Sequence, residues 1–234
     1  MKENIPTHEY KGSVKNGKRD GYGRLFISKI SSSSTLQNLI KYKVYLDFKE
    51  YLESKWGKDW DLICRRNDNY ILKYSGNFKN NLPHGLGTLT LNRGTYRGQF
   101  KNGKFDGYGK LITKSSSYSF GKHSYVGYFK NNYPNGKGKF IKEKLVDRGE
   151  EGNFINGKLD GKSKIIWSNS EYKGMVKNGL QHGKGKLIFL NTGDIHIGHW
   201  KKGDFIKGRI YEAKTKKWKI IKWKKYLKLL MKNT

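Results

Sequence analysis

The chain alternates aromatic and small or polar residues over short stretches. In YRGQFKNGKFDGYGKL, from Tyr96 to Leu111, an aromatic residue, a glycine and a second aromatic residue occupy every other position. A period of two is typical of a β-strand that buries one face. The Asn-Gly pair that follows tolerates the positive φ of a turn. The period of two resumes at Gly107 and Gly109, so we expect a loop of several residues between the two strands. The stretch therefore predicts a β-hairpin.

The same pattern recurs along the chain and predicts a repeat architecture. Seven segments align on their first residue, at Tyr10, Tyr74, Tyr96, Tyr125, Glu150, Tyr172 and His196. Their basic period of about 22 to 24 residues, with a large insertion after the first repeat, is in the range of structural repeats. Glycines recur two, seven, eleven and thirteen positions after the first residue. We expect the strand glycines to leave gaps across which neighbouring aromatic rings can lie.

The shared pattern, Y-x-G-x-F-x-N-G-x-x-x-G-x-G-x-L, resembles the MORN (membrane occupation and recognition nexus) repeat. The resemblance implies an all-β repeat fold, an elongated twisted ribbon of antiparallel β-hairpins with about seven repeats. It also implies a non-catalytic scaffold that binds a protein partner at a membrane or a cytoskeletal structure. Some proteins of this kind dimerise, so the resemblance allows a homodimer. Glu150, Ser163 and His196 depart from the pattern, and we expect their repeats to pack less regularly.

Composition divides the chain into four regions. Residues 1–27 hold the first repeat, and residues 71–211 hold repeats two to seven. The insertion at 28–70 has partly helical spacing, and we favour a helix over roughly 35–56. That helix would either cover one face of the sheet or bind a partner. Residues 212–234 predict a basic amphipathic C-terminal helix.

The C-terminal region carries the predicted lipid-binding residues. On a helical wheel its aromatic and apolar residues share one broad arc, and most of its lysines lie opposite, which is typical of a membrane-surface segment. The candidates are Lys217, Trp218, Trp223, Lys224, Lys225 and Lys228. A helix that only caps the end of the repeat array is the alternative.

Alternation also sorts the repeat residues between two faces. A single sheet layer would leave part of its aromatic face exposed as a groove, and Tyr and Phe are favoured at interfaces. The predicted partner-binding residues are Tyr74, Phe78, Tyr96, Phe100, Tyr125, Phe129 and Tyr172. A partner helix or extended peptide would lie along them. The alternative is that neighbouring repeats and the insertion cover these rings, which would leave no groove for a partner. The other face carries a cationic stripe of Lys11, Lys15, Lys79, Arg97, Lys101, Lys130, Lys173 and Lys177.

The net charge of +30 favours acidic partners. An anionic membrane surface is one such partner, so phosphoinositide or other anionic-lipid binding is the alternative main activity. Nucleic acid is disfavoured because few of the basic residues are arginine, the residue best suited to phosphate contacts. The sequence does not identify the protein partner.

No catalytic, cofactor or metal site is predicted. Three segments match G-x-x-x-x-G-K, but none continues with the Ser or Thr that a phosphate-binding loop requires. The six histidines do not cluster at metal-ligand spacing. His84 and His182 occupy the loop position that Asp20, Asp106 and Asp160 occupy in other repeats. We expect this position to accept hydrogen bonds from turn amides.

The remaining features predict a cytoplasmic protein, peripheral on the inner face of a membrane or on the cytoskeleton. There is no apolar run long enough to span a bilayer, and the first residues lack the apolar core of a secretory signal. The single cysteine, Cys64, excludes an intramolecular disulfide framework and fits a reducing compartment.

Overall fold

The fold was obtained as a computed structural model, which describes residues 7–28, 71–91, 94–113, 122–143 and 148–222. These residues form antiparallel β-strands joined by turns, and none of them is helical. The all-β repeat prediction is therefore confirmed. The predicted insertion helix lies outside the described residues. Two compact units divide the chain, Met1–Asn135 and Gly136–Thr234.

In the first unit each strand pairs with the next one along the chain. Its strands are β1 (Thr7–Lys15), β2 (Lys18–Ser28), β3 (Ile71–Lys79), β4 (Leu82–Leu91), β5 (Gly94–Lys101), β6 (Lys104–Thr113), β7 (Lys122–Lys130) and the start of β8 (Tyr133–Glu143). The long insertion after the first repeat therefore leaves β2 and β3 paired side by side.

The second unit continues the same connectivity from the rest of β8. Its further strands are β9 (Arg148–Ile155), β10 (Lys158–Trp167), β11 (Ser170–Lys177), β12 (Leu180–Phe189), β13 (Ile195–Lys201), β14 (Asp204–Glu212) and β15 (Lys217–Ile221). The degenerate seventh repeat, which begins at His196, still folds as the hairpin β13–β14 with Gly198 opposite Gly208.

The predicted turns form because asparagine and glycine tolerate a left-handed backbone. In the third repeat, Lys101 pairs with Lys104 across a two-residue loop. The loop residues Asn102 and Gly103 have φ values of 51° and 78°. Two consecutive positive φ values are what a type I′ hairpin turn needs, and its twist matches that of the flanking strands. The Asn-Gly signal therefore correctly predicted the hairpin and the position of its turn. The expected loop of several residues is wrong, because the loop has two residues and the second strand begins at Lys104.

The prediction of a helix beginning at residue 212 is wrong for residues 217–221. Lys217 and Trp218 lie on β15, which pairs with β14, and the Trp218 ring lies 5.3 Å from the Tyr211 ring. The backbone groups at the free edge of β14 can pair with a segment rich in β-branched and aromatic residues, and this pairing outweighs the helical periodicity. The other lipid-binding candidates, Trp223, Lys224, Lys225 and Lys228, lie outside the described residues.

Candidate functional site

In four repeats the first tyrosine lies over a pair of glycines on adjacent strands; these tyrosines are Tyr10, Tyr74, Tyr96 and Tyr172. In the third repeat, the Tyr96 hydroxyl donates a hydrogen bond to the backbone carbonyl of Gln99 at 2.9 Å. A Cβ atom on Gly98 would come within 2.6 Å of that hydroxyl, and one on Gly109 within 2.6 Å of the ring carbons Cε2 and Cζ. Only glycine leaves room for the ring, which confirms the predicted role of the strand glycines.

The same contact is repeated in four other repeats. Each tyrosine hydroxyl donates to the carbonyl three residues further on, at 2.8 to 3.2 Å. The donors are Tyr10, Tyr74, Tyr125 and Tyr172, and the acceptors are Ser13, Asn77, Tyr128 and Met175. The repeat motif therefore specifies the side-chain position as well as the strand.

In the first unit, the rings of this tyrosine–glycine face interlock from one repeat to the next. The Tyr74 ring meets Phe78 of its own repeat at 4.9 Å and Phe100 of the next repeat at 5.2 Å, both edge to face. Phe105 stacks on Tyr96 with ring centroids 3.7 Å apart. Such aromatic pairs stabilise by about 0.5–1.5 kcal/mol beyond the burial of their area. These contacts form a continuous aromatic core within the unit.

The predicted exposed aromatic groove is wrong. The seven residues assigned to it, Tyr74, Phe78, Tyr96, Phe100, Tyr125, Phe129 and Tyr172, are between 0 and 3% exposed. In the first unit a phenylalanine of the following repeat packs beside the tyrosine. The alternative interpretation, in which neighbouring repeats cover these rings, is therefore correct there. Burial raises the pKa of Tyr74, Tyr96 and Tyr125 well above its usual range and that of Tyr172 to about 12.

A second set of contacts links each turn to the preceding repeat. The Asp106 carboxylate accepts a hydrogen bond from the backbone N–H of Asn131 at 3.4 Å. Asp20 and Asp160 accept in the same way from the turns that follow them. The Nδ1 atom of His84 accepts from the Asn102 N–H at 3.5 Å. The prediction that these positions bind turn amides is confirmed for those four residues, and their role is structural.

The opposite face of the sheet, which we call the outer face, carries the exposed side chains. In the first unit its middle positions hold four large side chains that are half exposed or more. We call them the tyrosine row: Tyr22 (56%), Leu86 (66%), Tyr108 (52%) and Tyr128 (50%). The predicted cationic stripe also lies on the outer face, and its side chains are exposed.

In the second unit the outer face is dominated by basic side chains. The second strand of each hairpin carries two of them, separated by one residue. These lysine rows consist of Lys137 and Lys139, Lys162 and Lys164, Lys184 and Lys186, and Lys207 and Arg209. The sequence shows them as G-K-G-K, G-K-S-K, G-K-G-K and K-G-R, in contrast to G-Y-G and G-L-G in the first unit. This signal was present in the sequence, but the general excess of lysine hid it.

The lysine rows are not explained by sheet stability. Lys164 lies directly opposite Lys173, and Lys173 lies opposite Lys186. Like charges at directly opposite positions destabilise a sheet. Glu171 offsets part of this repulsion, since its carboxylate lies 2.6 Å from the ammonium of Lys173 and 3.1 Å from that of Lys164. Hydrogen bonds from Lys173 and Lys164 lower the pKa of Glu171.

Within the described ranges, no group of three or more His, Cys, Asp or Glu side chains is placed to hold a metal ion. The same ranges contain no helix with the length and apolar character needed to cross a bilayer.

Hairpins of one pattern, paired in sequence order, define a β-hairpin repeat protein. The MORN repeat matches six segments that together make up more than half of the chain: residues 10–27, 74–95, 96–118, 125–143, 151–171 and 172–191. The chain therefore belongs to the MORN repeat family, as the sequence pattern predicted. The MORN repeat is a non-catalytic scaffold module. The hairpin that begins at His196 lies outside the matched segments.

The chain is also similar to part of Alsin. It is 33% identical to Alsin of Mus musculus and 32% identical to Alsin of Homo sapiens, over 78 residues in each case. The aligned segment is 31% of this chain and 5% of Alsin. The chain thus matches only a small fraction of the length of these relatives.

Proposed function

We propose that the chain is a non-catalytic scaffold that holds a protein partner at the cytoplasmic face of a membrane or at a cytoskeletal structure. The proposal rests on the difference between the two faces of the sheet, one of which is buried and the other exposed. The rings of the tyrosine–glycine face are buried in the core, whereas other large side chains, including Tyr22 and Tyr108, and basic side chains are exposed on the outer face. A folded sheet gains little from exposed side chains of this kind, and such patches mark interaction sites.

The repeat architecture suits a scaffold because it presents equivalent positions at regular intervals. On the outer face, corresponding side chains of successive hairpins lie two strands apart, or about 9.6 Å. A partner that spans several repeats can therefore make the same contact several times. Binding energy then comes from many modest contacts, with no need for a deep pocket.

Anionic-lipid binding is the second candidate function, and the lysine rows of the second unit favour it. Eight basic side chains on one sheet face are suited to a negatively charged surface. Each lysine near an anionic membrane contributes about 1 kcal/mol, and salt screens this attraction within a Debye length. Lys139 is held 3.5 Å from Glu151, so part of the charge is already compensated.

The two candidates are separated by charge reversal. The test variant is Lys137→Glu with Lys162→Glu and Lys184→Glu. The matched control is Lys79→Glu with Lys101→Glu and Lys130→Glu in the first unit. Both variants make the same change in net charge at exposed positions, so both should fold. If lipid binding is the activity, the test variant should bind anionic vesicles at least tenfold more weakly than the control, and neutral vesicles should bind neither protein.

The same variants test the scaffold in the native cell. Proximity labelling should recover a reproducible set of protein partners with the wild-type chain and with at least one of the two variants. If labelling gives only general membrane proteins, and the vesicle-deficient variant loses all of them, the scaffold proposal is wrong and the lipid proposal stands.

A further inference from the structure

We propose that the outer face of the first unit docks an acidic amphipathic helix of a partner protein, with the tyrosine row as the apolar contact. This assignment rests on the proposed scaffold function and specifies the chemistry of the partner. It depends on three features of the first unit: the alignment of the row, the basic side chains on both sides of it, and the strand spacing.

The tyrosine row crosses the sheet from β2 to β7, with members on β2, β4, β6 and β7. Tyr22 lies opposite Asn77, Leu86 opposite Gln99, and Tyr108 opposite Tyr128. The Tyr108 and Tyr128 rings meet edge to face at 5.4 Å. The Tyr22 hydroxyl lies 2.9 Å from that of Ser75, which fixes the ring at the other end of the row. The row is therefore an ordered apolar strip with polar residues between its members.

Basic side chains lie on both sides of the strip. On the turn side are Lys15, Lys79, Lys101 and Lys130, each at the last position of its strand. On the other side Lys11 lies opposite Arg24, and Arg97 lies opposite Lys110. Glu9 is within 2.8 Å of Lys11 and compensates charge at one end. A ligand that complements this surface has an apolar stripe with carboxylates along both edges.

The spacing favours a helix over an extended peptide. Because the strands of the row already pair with neighbours on both sides, an added strand would find no free backbone groups there. Tyr22, Leu86 and Tyr108 lie on alternate strands, about 9.6 Å apart. Residues i and i+7 of a helix lie on one face, about 10.5 Å apart along the axis. The row spans about 24 Å from β2 to β7, or roughly 16 helical residues.

The second unit provides an internal comparison. The positions equivalent to Tyr22, Leu86 and Tyr108 are occupied there by Lys137, Lys162 and Lys184. A strip of lysines cannot bury the apolar stripe of a helix. The position equivalent to Tyr128 holds the exposed Met175, but it lies opposite Lys162 and extends no apolar row. The proposed site is therefore confined to the first unit. Exposed lysines in the second unit can attract an acidic peptide only through long-range charge.

The test uses the intact chain and a designed 18-residue helical peptide with leucine on one face and glutamate on both flanks. Fluorescence anisotropy measures its binding beside a peptide of the same composition in scrambled order. The site variant is Leu86→Ser with Tyr108→Ser, and the control is Lys162→Ser with Lys184→Ser. We expect at least tenfold weaker binding for the site variant and less than threefold for the control. The scrambled peptide should bind at least tenfold more weakly than the amphipathic one.

Several outcomes would overturn this proposal. Equal binding of the two peptides, or equal losses in the two variants, would show that charge attraction alone is measured. Loss of vesicle binding or of self-association in the site variant, with peptide binding unchanged, would assign the row to a membrane or to a second copy of the chain. If the site variant still captures the native partners, the scaffold function survives and only this docking site is rejected.

Discussion

Gly109→Ala is expected to lower the free energy of unfolding by about 3 kcal/mol, a large cost for one methyl group. The new Cβ would lie 2.6 Å from Cε2 and Cζ of Tyr96, far inside van der Waals contact. The ring cannot move away freely, because its hydroxyl is bonded to Gln99 and its face is stacked on Phe105. Urea unfolding, followed by circular dichroism, measures the change.

Gly17→Ala is the control for this substitution. Gly17 lies in a hairpin turn with φ of 69°, and a Cβ there meets nothing within 4 Å. The cost is then only that of a left-handed alanine, about 1 kcal/mol. If Gly109→Ala cost no more than Gly17→Ala, the clash with the Tyr96 ring would not be the reason for a glycine at position 109, since Gly109 does not have the positive φ of Gly17.

Phe105→Ala is expected to destabilise the protein by about 3–5 kcal/mol. The Phe105 side chain is 1% exposed, stacks on Tyr96 and meets the edges of Phe100 and Phe129. Its removal would leave a cavity among rigid rings that cannot close around it. Urea unfolding of the intact chain is again the appropriate measurement.

Tyr108→Ala on the same strand is the matched comparison, with an expected change within about 0.5 kcal/mol. Tyr108→Ala also removes an aromatic side chain, but the Tyr108 side chain is half exposed on the outer face. Similar costs for the two substitutions would contradict the assignment of one face to the core and the other to binding.

The hairpins were predictable because their signals are local. The Asn-Gly turns require two residues of positive φ, and few sequences offer them. The ring over the glycine pair was also predictable, since glycine at a fixed offset in a strand calls for a close approach. Both signals lie within one repeat, and repetition made them easy to recognise.

The closure of the aromatic face was not predictable from alternation. Alternation shows that Tyr74 and Phe78 share a face, but it does not show that Phe100 of the next repeat packs against the Tyr74 ring. Phe105 also comes from the loop side of its hairpin, where the sequence has no period-two pattern. Whether the face is a groove or a core depends on packing between repeats.

The strand β15 and the tyrosine row were missed from the sequence for other reasons. A helical wheel for residues 212–234 considers that segment alone, whereas Trp218 joins a strand because β14 offers a free edge. The tyrosine row and the lysine rows differ in the residue that follows the third glycine of the repeat pattern, which is Tyr or Leu in the first unit and Lys in the second. Those positions show a pattern only after the register has placed them on one face.

Tyrosine nitration by tetranitromethane, mapped by mass spectrometry of the native chain, tests directly whether the aromatic face is closed. We expect rapid modification of Tyr22, Tyr108 and Tyr128, which are exposed on the outer face. Tyr74, Tyr96, Tyr125 and Tyr172 should be protected until the protein is unfolded, because burial excludes the reagent and raises the pKa of each phenol. Modification of Tyr96 or Tyr125 in the native chain as fast as Tyr108 would contradict the closed core and return the binding role to the aromatic face.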